Sequence, residues 1–297
     1  MSFVEEISSM NKKEKMDFLN VIEEDEERFF HDYSEELNIL IHDPDNEIKA
    51  KAILCLWDYP TTHFLNFLLD AARNDLDEQV RKNSIIVLGR FIFEGSMEGY
   101  DLELNDPLAM EDITIDDFNK VKNTLLNIYK DNKRTVDDRR YALEALSFSS
   151  EDEIEEIIED AYNNKDKSFK QSAIFSMGRN GNIRWNDIIL KELKNTDIDL
   201  QREAIKAAGE GKVDEAGPEL LKLTYSDDPD IVKLSAWSLG QTGWEDAFNR
   251  LYELSESKDH EIREIADEAI EEWHSICGND DDYFDDEEDY FEDEPDH

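Results

Sequence analysis

Small and aliphatic residues recur in the C-terminal third of the chain at positions that share one face of a helix. Three segments carry this pattern, beginning at Leu200, Ile231 and Ile262, so that the interval is 31 residues each time. An aliphatic residue opens each segment, small residues follow at positions +4 and +7, and an apolar or small residue stands at +8. These positions lie together on a helix with 3.6 residues per turn. A fixed period of this length predicts a solenoid of stacked helical repeats.

The same frame extends toward the N-terminus. The complete series of opening residues is Ile48, Val80, Asp138, Phe169, Leu200, Ile231 and Ile262. The one long interval, 58 residues, equals one repeat plus an insertion of about 27 residues. Glycine at +9, as in Gly209 and Gly240, suits a left-handed residue at a helix C-terminus. Asp residues before the openers, such as Asp197, Asp228 and Asp259, are predicted to cap the helix N-termini.

A second helix is predicted after a short turn within the repeats. The predicted ranges are Thr61–Asn74, Asp116–Asp131, Glu151–Asn164, Ile183–Asn195, Gly217–Ser226 and Glu245–Ser257. Because end repeats must shield an exposed core, residues 1–42 are interpreted as an N-terminal helical cap and residues 43–277 as the solenoid. An insertion at about 91–117, rich in acids and apolar residues, is predicted to be a loop on the rim. The predicted fold class is all-α: a right-handed α-solenoid of about seven helix-pair repeats, with a disordered acidic tail at 278–297.

Charge is the second large feature of the sequence. The formal net charge is −44, from 76 acidic and 32 basic residues, which argues against a protein that binds a phosphate backbone through clustered Lys and Arg. Two explanations stay open: general solubility, or a surface for a basic partner. No membrane-length apolar run or signal pattern is present, and two cysteines give no disulfide framework. We therefore expect a cytoplasmic protein without membrane or nucleic-acid partners.

The predicted helix at Glu151–Asn164 carries the most acidic of the second-helix faces. Ile154, Ile157, Ile158 and Ala161 point inward in this interpretation, and the other face holds a series of acids that includes Glu155, Glu156, Glu159 and Asp160. Second helices line the concave surface of helix-pair solenoids, so these four residues are candidates for contact with a partner. The alternative is an ordinary solvated face.

The C-terminal segment combines acids with aromatic residues. Residues 279–297 contain 12 Asp or Glu and no Lys or Arg. Tyr283, Phe284, Tyr290 and Phe291 stand in two copies of the same four-residue pattern, seven residues apart. A tail that only solubilises the protein has no use for four aromatic residues, so we predict that these four residues bind the partner.

The repeat unit resembles the HEAT-like repeat, in the short bacterial form also found in phycobilisome lyases, over residues 43–274. Such repeats mostly serve as binding scaffolds. Deoxyhypusine hydroxylases have a similar repeat design but need several His-Glu pairs, whereas this sequence has only His260-Glu261. HEAT-like DNA glycosylases use a basic face, opposite to the charge found here. The repeat itself carries no catalytic signature, so a bilin lyase stays open.

We expect neither a metal nor a cofactor, because the six histidines show no ligand spacing and no phosphate-binding loop is present. The function predicted from the sequence is a non-catalytic protein-binding scaffold with a basic protein partner. An inhibitor or immunity protein, a DNA mimic and a chaperone-like adaptor are forms of that function. The alternative from a different class is an enzyme of the bilin-lyase type.

Overall fold

The computed structural model describes residue 7 and residues 9–25, 31–97 and 113–277, and the regular elements in these residues are helices. The chain divides into two compact units, Met1–Ser176 and Met177–His297. The helices of the first unit are α1 (Lys12–Glu24), α2 (Ser34–Leu40), α3 (Asn46–Cys55), α4 (Thr62–Asn74), α5 (Glu78–Met97), α6 (Ile115–Lys130), α7 (Val136–Leu146) and α8 (Asp152–Tyr162). Helix α9 (Lys167–Asn180) contains the boundary between the units. The second unit continues with α10 (Asn186–Glu192), α11 (Ile198–Glu210), α12 (Gly217–Leu223), α13 (Pro229–Thr242), α14 (Phe248–Ser255) and α15 (His260–Cys277).

Within each unit the helices alternate in two roles. The first helices of consecutive repeats pack on each other, α3 on α5 and α5 on α7 in one unit, and α11 on α13 and α13 on α15 in the other. The second helices α4, α6, α10, α12 and α14 each pack on the first helix that follows. Helices α1 and α2 contact α3, the first helix of the first repeat. The all-α helix-pair architecture predicted from the period is confirmed.

The small residues of the frame form the contact between neighbouring first helices. The residues at +4 and +7 are Ala52, Cys55, Ser84, Val87, Ala142, Ala145, Ala173, Ser176, Ala204, Ala207, Ser235, Ser238, Ala266 and Ala269, and every one of them is buried. Short side chains at these positions let two helix backbones approach closely, while the aliphatic openers supply buried apolar area.

The predicted N-terminal caps are confirmed. Asp197 accepts hydrogen bonds from the backbone N–H groups of Asp199 and Leu200, and Asp228 accepts one from Asp230. The Asp259 carboxylate likewise accepts from Glu261 N. These carboxylates satisfy N–H groups that lack a partner inside the helix, and they lie at its positive end.

Glycine at +9 has a different role from the predicted one. Gly178, Gly209 and Gly240 lie inside helices, and a Cβ built on Gly178 would lie 2.5 Å from Ala207 Cα. A Cβ on Gly240 would lie 2.7 Å from Ala269 Cα. The prediction of a left-handed cap at Gly209 and Gly240 is therefore wrong, because these residues allow contact with the +7 residue of the next repeat.

Both ends of the segment that was predicted to be an inserted loop are helical. Helix α5 continues to Met97 and buries Phe91 and Ile92, and α6 begins at Ile115. The ends of the proposed 91–117 segment thus belong to helices, while residues 98–112 lie outside the described residues. A Cβ on Gly89 would lie 3.2 Å from Ala145 Cα, so α5 and α7 pack directly across the 58-residue interval.

Candidate partner-binding surfaces

Helix α8 is amphipathic, as its sequence predicts. Ile154, Ile157, Ile158 and Ala161 are buried, and acids in the first turn favour the positive end of the helix. Helix α6 lies alongside it, because the Lys122 Nζ is 2.7 Å from a Glu151 carboxylate oxygen and the Lys130 Nζ is 2.8 Å from Glu153.

The candidate acids of α8 do not share one environment. Glu156, Glu159 and Asp160 are exposed, whereas Glu155 is only 6% exposed. Its predicted place on the solvent face is therefore wrong. The buried arc of α8 is therefore wider than its apolar stripe, because it includes Glu155 beside Ile154 and Ile158.

The first turn of α8 is partly neutralised by α6. The hydrogen bond from Lys130 holds the pKa of the Glu153 carboxyl below its ordinary value. Both members of that pair are about half-exposed, so the pair contributes about 0–1 kcal/mol. The exposed acids that follow, Glu156 and Asp160 among them, extend the negative surface beyond the lysines.

Several cations of the first helices form ion pairs with acids of the next repeat. In the first unit, Arg81 Nε is 3.1 Å from an oxygen of the buried Asp138 carboxylate, in the next repeat. The second unit repeats the arrangement: Arg202 pairs with Asp228 at 2.9 Å, and Lys233 pairs with Glu261 at 2.6 Å. Basic side chains thus join successive repeats, which leaves the surplus of acids for the rest of the surface.

The remaining predicted site residues, Tyr283, Phe284, Tyr290 and Phe291, lie outside the described residues. Within the described part of the chain, no group of three or more His, Cys, Asp or Glu is placed to hold a metal ion. The helices described here also include none that is long and apolar enough to cross a membrane.

Two surface features of the second unit were not predicted. A groove of about 630 Å³ lies over α11, α13 and α15, and its lining combines cations and carboxylates, among them Arg202, Lys206, Lys233, Glu261, Glu264 and Glu268. A cluster of four rings, Phe248, Tyr252, Trp273 and His274, lies where α14 meets the end of α15. The sequence could have indicated this cluster, because Tyr252 stands at the position where the two preceding repeats carry Leu190 and Leu221.

Residues 186–271 match the family model for HEAT repeats. No curated protein matches the chain. Among solved structures, the chain is similar to the complex of CpcE and CpcF of phycocyanin lyase from Nostoc sp. PCC7120, with 14% identity and a TM-score of 0.51, over 79% of this chain and 85% of that chain. It is also similar to importin beta, with 13% identity and a TM-score of 0.46, over 90% of this chain and 41% of importin beta. For human deoxyhypusine hydroxylase the identity is 12% and the TM-score 0.39, over 92% and 96% of the two chains.

At these identities the structural likeness concerns the fold alone. HEAT repeats mostly serve as binding scaffolds, so the match at residues 186–271 supports a role in protein interaction in general. Successive repeats can stack because small residues are buried at +4 and +7 and because glycines at +9 contact the next repeat. With the match at residues 186–271, they show that this part of the chain consists of HEAT-like repeats.

Proposed function

We propose that this chain is a non-catalytic scaffold that binds a basic protein, or a basic segment of one, through its acidic surface. The observation that carries the proposal is the distribution of charge. Helix α8 contains six acids and no Lys or Arg, and Glu156, Glu159 and Asp160 are exposed on it. The first helices, in contrast, use their cations in pairs between repeats.

Electrostatic complementarity of this kind acts mainly on the rate of encounter and on the choice of partner. A concentrated negative surface attracts a basic partner over about 8 Å at physiological salt, and it repels nucleic acid and other acidic proteins. Each exposed ion pair contributes only about 0–1 kcal/mol, so selectivity requires apolar or aromatic groups as well. We assign that second role to the aromatic residues Tyr283, Phe284, Tyr290 and Phe291.

The test of the α8 surface is a binding comparison between full-length proteins. The immobilised chain is used to capture proteins from a lysate, which are eluted with increasing salt and identified by mass spectrometry. Binding constants are then measured for the captured proteins. We expect basic proteins, and we expect the variant Glu156→Gln, Glu159→Gln, Asp160→Asn to bind them on the order of tenfold more weakly.

A matched control removes the same charge at scattered exposed positions: Glu35→Gln, Asp70→Asn and Glu78→Gln. We expect this control to change affinity much less than the α8 variant does. Equal losses in the two variants would show that only net charge matters. Capture of acidic proteins, or of none, would contradict the proposal.

The aromatic residues of the C-terminal segment are tested separately from the acids of the same segment. Replacing Tyr283, Phe284, Tyr290 and Phe291 with Ser should weaken binding with little change in its salt dependence. Replacing the acids of residues 279–297 with Asn or Gln should flatten the salt dependence. If the aromatic variant binds like the parent and only solubility responds to the acids, this segment is a solubiliser.

The alternative from another class is an enzyme of the bilin-lyase type. The 14% identity to the phycocyanin lyase structure concerns fold and favours neither function. Covalent attachment of a bilin to a phycobiliprotein, dependent on this chain, would overturn the scaffold proposal.

A further inference from the structure

The last described helix pair, α14 and α15, presents what we name the terminal face. Its aromatic part consists of Phe248, Tyr252, Trp273 and His274. Its acidic part consists of Glu264, Asp267, Glu268 and Glu271. Two residues of the acidic part, Asp267 and Glu271, stand at positions +5 and +9 of the frame, so their chemistry can be compared with that of the earlier repeats of the same unit.

The acidic part replaces packing residues with carboxylates. At position +5 of the frame, Ile205 and Ala236 are fully buried, whereas Asp267 is exposed. At position +9, Gly209 and Gly240 touch the next repeat, whereas the third residue of that series is Glu271, which is also exposed. A polar outer surface of this kind ends a stack of repeats. The face is therefore built to meet solvent or a partner, and not another repeat.

The aromatic part is ordered by its contacts and partly exposed, since Tyr252 and His274 are exposed and Phe248 and Trp273 are half-buried. The ring centroids of Phe248 and Tyr252 are 6.5 Å apart in a stacked arrangement, and those of Phe248 and Trp273 are 5.2 Å apart. The Trp273 indole N–H donates a 2.8 Å hydrogen bond to the Trp244 carbonyl, which fixes the ring. Tyr252 is nevertheless 57% exposed. Rings held in this way bind with little loss of side-chain entropy.

We propose, resting on the proposed function, that the terminal face binds an arginine-rich segment of the basic partner. A guanidinium group is attracted to the face of an aromatic ring and forms charge-assisted hydrogen bonds with carboxylates. The same unit already contains one such stack: the Arg250 guanidinium lies 3.8 Å from the centroid of the Tyr225 ring. Because His274 follows Glu271 by three residues on α15, the ring cluster and the carboxylates adjoin along that helix and offer both kinds of contact to one segment.

Charge decides between this occupant and the chain's own C-terminal segment. Residues 279–297 carry 12 acids and no base, so the carboxylates of Asp267, Glu268 and Glu271 repel them. A second copy of the chain would bring the same net charge of −44. An arginine-rich segment has the opposite charge and matches both parts of the face.

The experiment measures binding of fluorescein-labelled octa-arginine and octa-lysine to the full-length chain at physiological salt, by fluorescence anisotropy. We expect tighter binding of octa-arginine, because both peptides carry the same charge and Arg stacks better on rings. Tyr252→Ala, which leaves the charge unchanged, should weaken octa-arginine binding about three- to tenfold and octa-lysine binding less. The matched control is Tyr225→Ala, which removes an equally exposed ring away from the face and should have little effect. Circular dichroism checks that each variant stays folded.

The outcomes separate this inference from the proposed function. If Tyr252→Ala binds octa-arginine like the parent, while the α8 variant loses binding, the terminal face is not the site and the proposed function stands. If the chain binds neither peptide, the proposed function itself is contradicted. Tighter octa-arginine binding after Tyr283, Phe284, Tyr290 and Phe291 are replaced with Ser would assign the face to the chain's own C-terminal segment. A dimer that Tyr252→Ala dissociates would assign it to a second copy, and either result would overturn the inference.

Discussion

The interior repeats and the terminal repeat of the second unit use the same helical frame for opposite purposes. At +5, Ile205 is fully buried between repeats, and Asp267 is exposed. At +9, Gly240 lets the α13 and α15 backbones touch, and Glu271 points a charged side chain outward. The inward positions at +4 and +7 are alike in both, since Ala204, Ala207, Ala266 and Ala269 are all buried.

The comparison shows that the positions of the frame fall into two groups, +4 with +7 and +5 with +9, and that a different neighbour determines the residue type in each group. The +7 residues Ala207, Ser238 and Ala269 contact the +9 glycine of the preceding repeat. The +9 glycines contact the following repeat, and we infer the same for position +5, because Ile205 and Ala236 are buried and Asp267 is exposed. A polar residue at +5 or +9 therefore indicates a free surface that is available for binding.

The largest expected effect comes from placing Asp, the residue at +5 of the last repeat, at the equivalent buried position of an interior repeat. Ile205→Asp buries a carboxylate between α11 and α13 without a partner, and we expect it to lower the free energy of unfolding by about 4 kcal/mol or more. Urea denaturation measures this loss. A change below about 1 kcal/mol would mean that the next repeat does not cover position +5.

The reverse substitution is the control. Asp267→Ile should change the free energy of unfolding by about 0.5 kcal/mol or less, because the position is exposed. It should instead promote self-association, because it restores an apolar contact position on the terminal face. Sedimentation velocity detects that change.

A smaller effect is expected at position +9. Gly240→Ala should cost roughly 1–3 kcal/mol, because the new Cβ would lie 2.6 Å from the Ala269 carbonyl oxygen. Elsewhere in a helix the same substitution stabilises by roughly 0.5–1 kcal/mol, so even the sign of the effect is informative. Glu271→Ala, at the equivalent terminal position, should be nearly neutral. A stabilised Gly240→Ala protein would show that the two backbones are farther apart than described.

The smallest effect concerns thiol reactivity and leaves stability unchanged. Burial raises the pKa of the interior Cys55 thiol to about 12, and burial also raises the pKa of Cys277, which lies half-buried at the end of α15. Because the thiolate is the reactive form, both rates should rise with pH. We expect Cys277 to react at least about tenfold faster than Cys55 with Ellman's reagent, since Cys55 needs local opening. Cys277→Ser should remove the fast phase, and equal rates would contradict the assignment of Cys55 to the interior.

Much of the fold could be predicted from the sequence because its determinants are local. The spacing of Ala204 and Ala207 defines one helix face, and Asp197 needs only the next backbone N–H groups to cap α11. Glu156 and Asp160 were placed correctly on an exposed face by the same periodicity. Glu155 was not, because its burial depends on the helices packed around α8 and not on the period of α8 itself.

By itself the sequence determined the repeat frame, the buried small residues, the helix caps and the large excess of acids, since each of these depends on periodicity or composition. Only the tertiary structure decided the role of Gly240, the continuation of α5 through Phe91 and Ile92, and the grouping of Phe248, Tyr252 and Trp273. The physical reason is the same in all three cases. A helical period specifies which side of a helix is apolar, whereas the contact made by each exposed or glycine position depends on the neighbouring helix that packs against it.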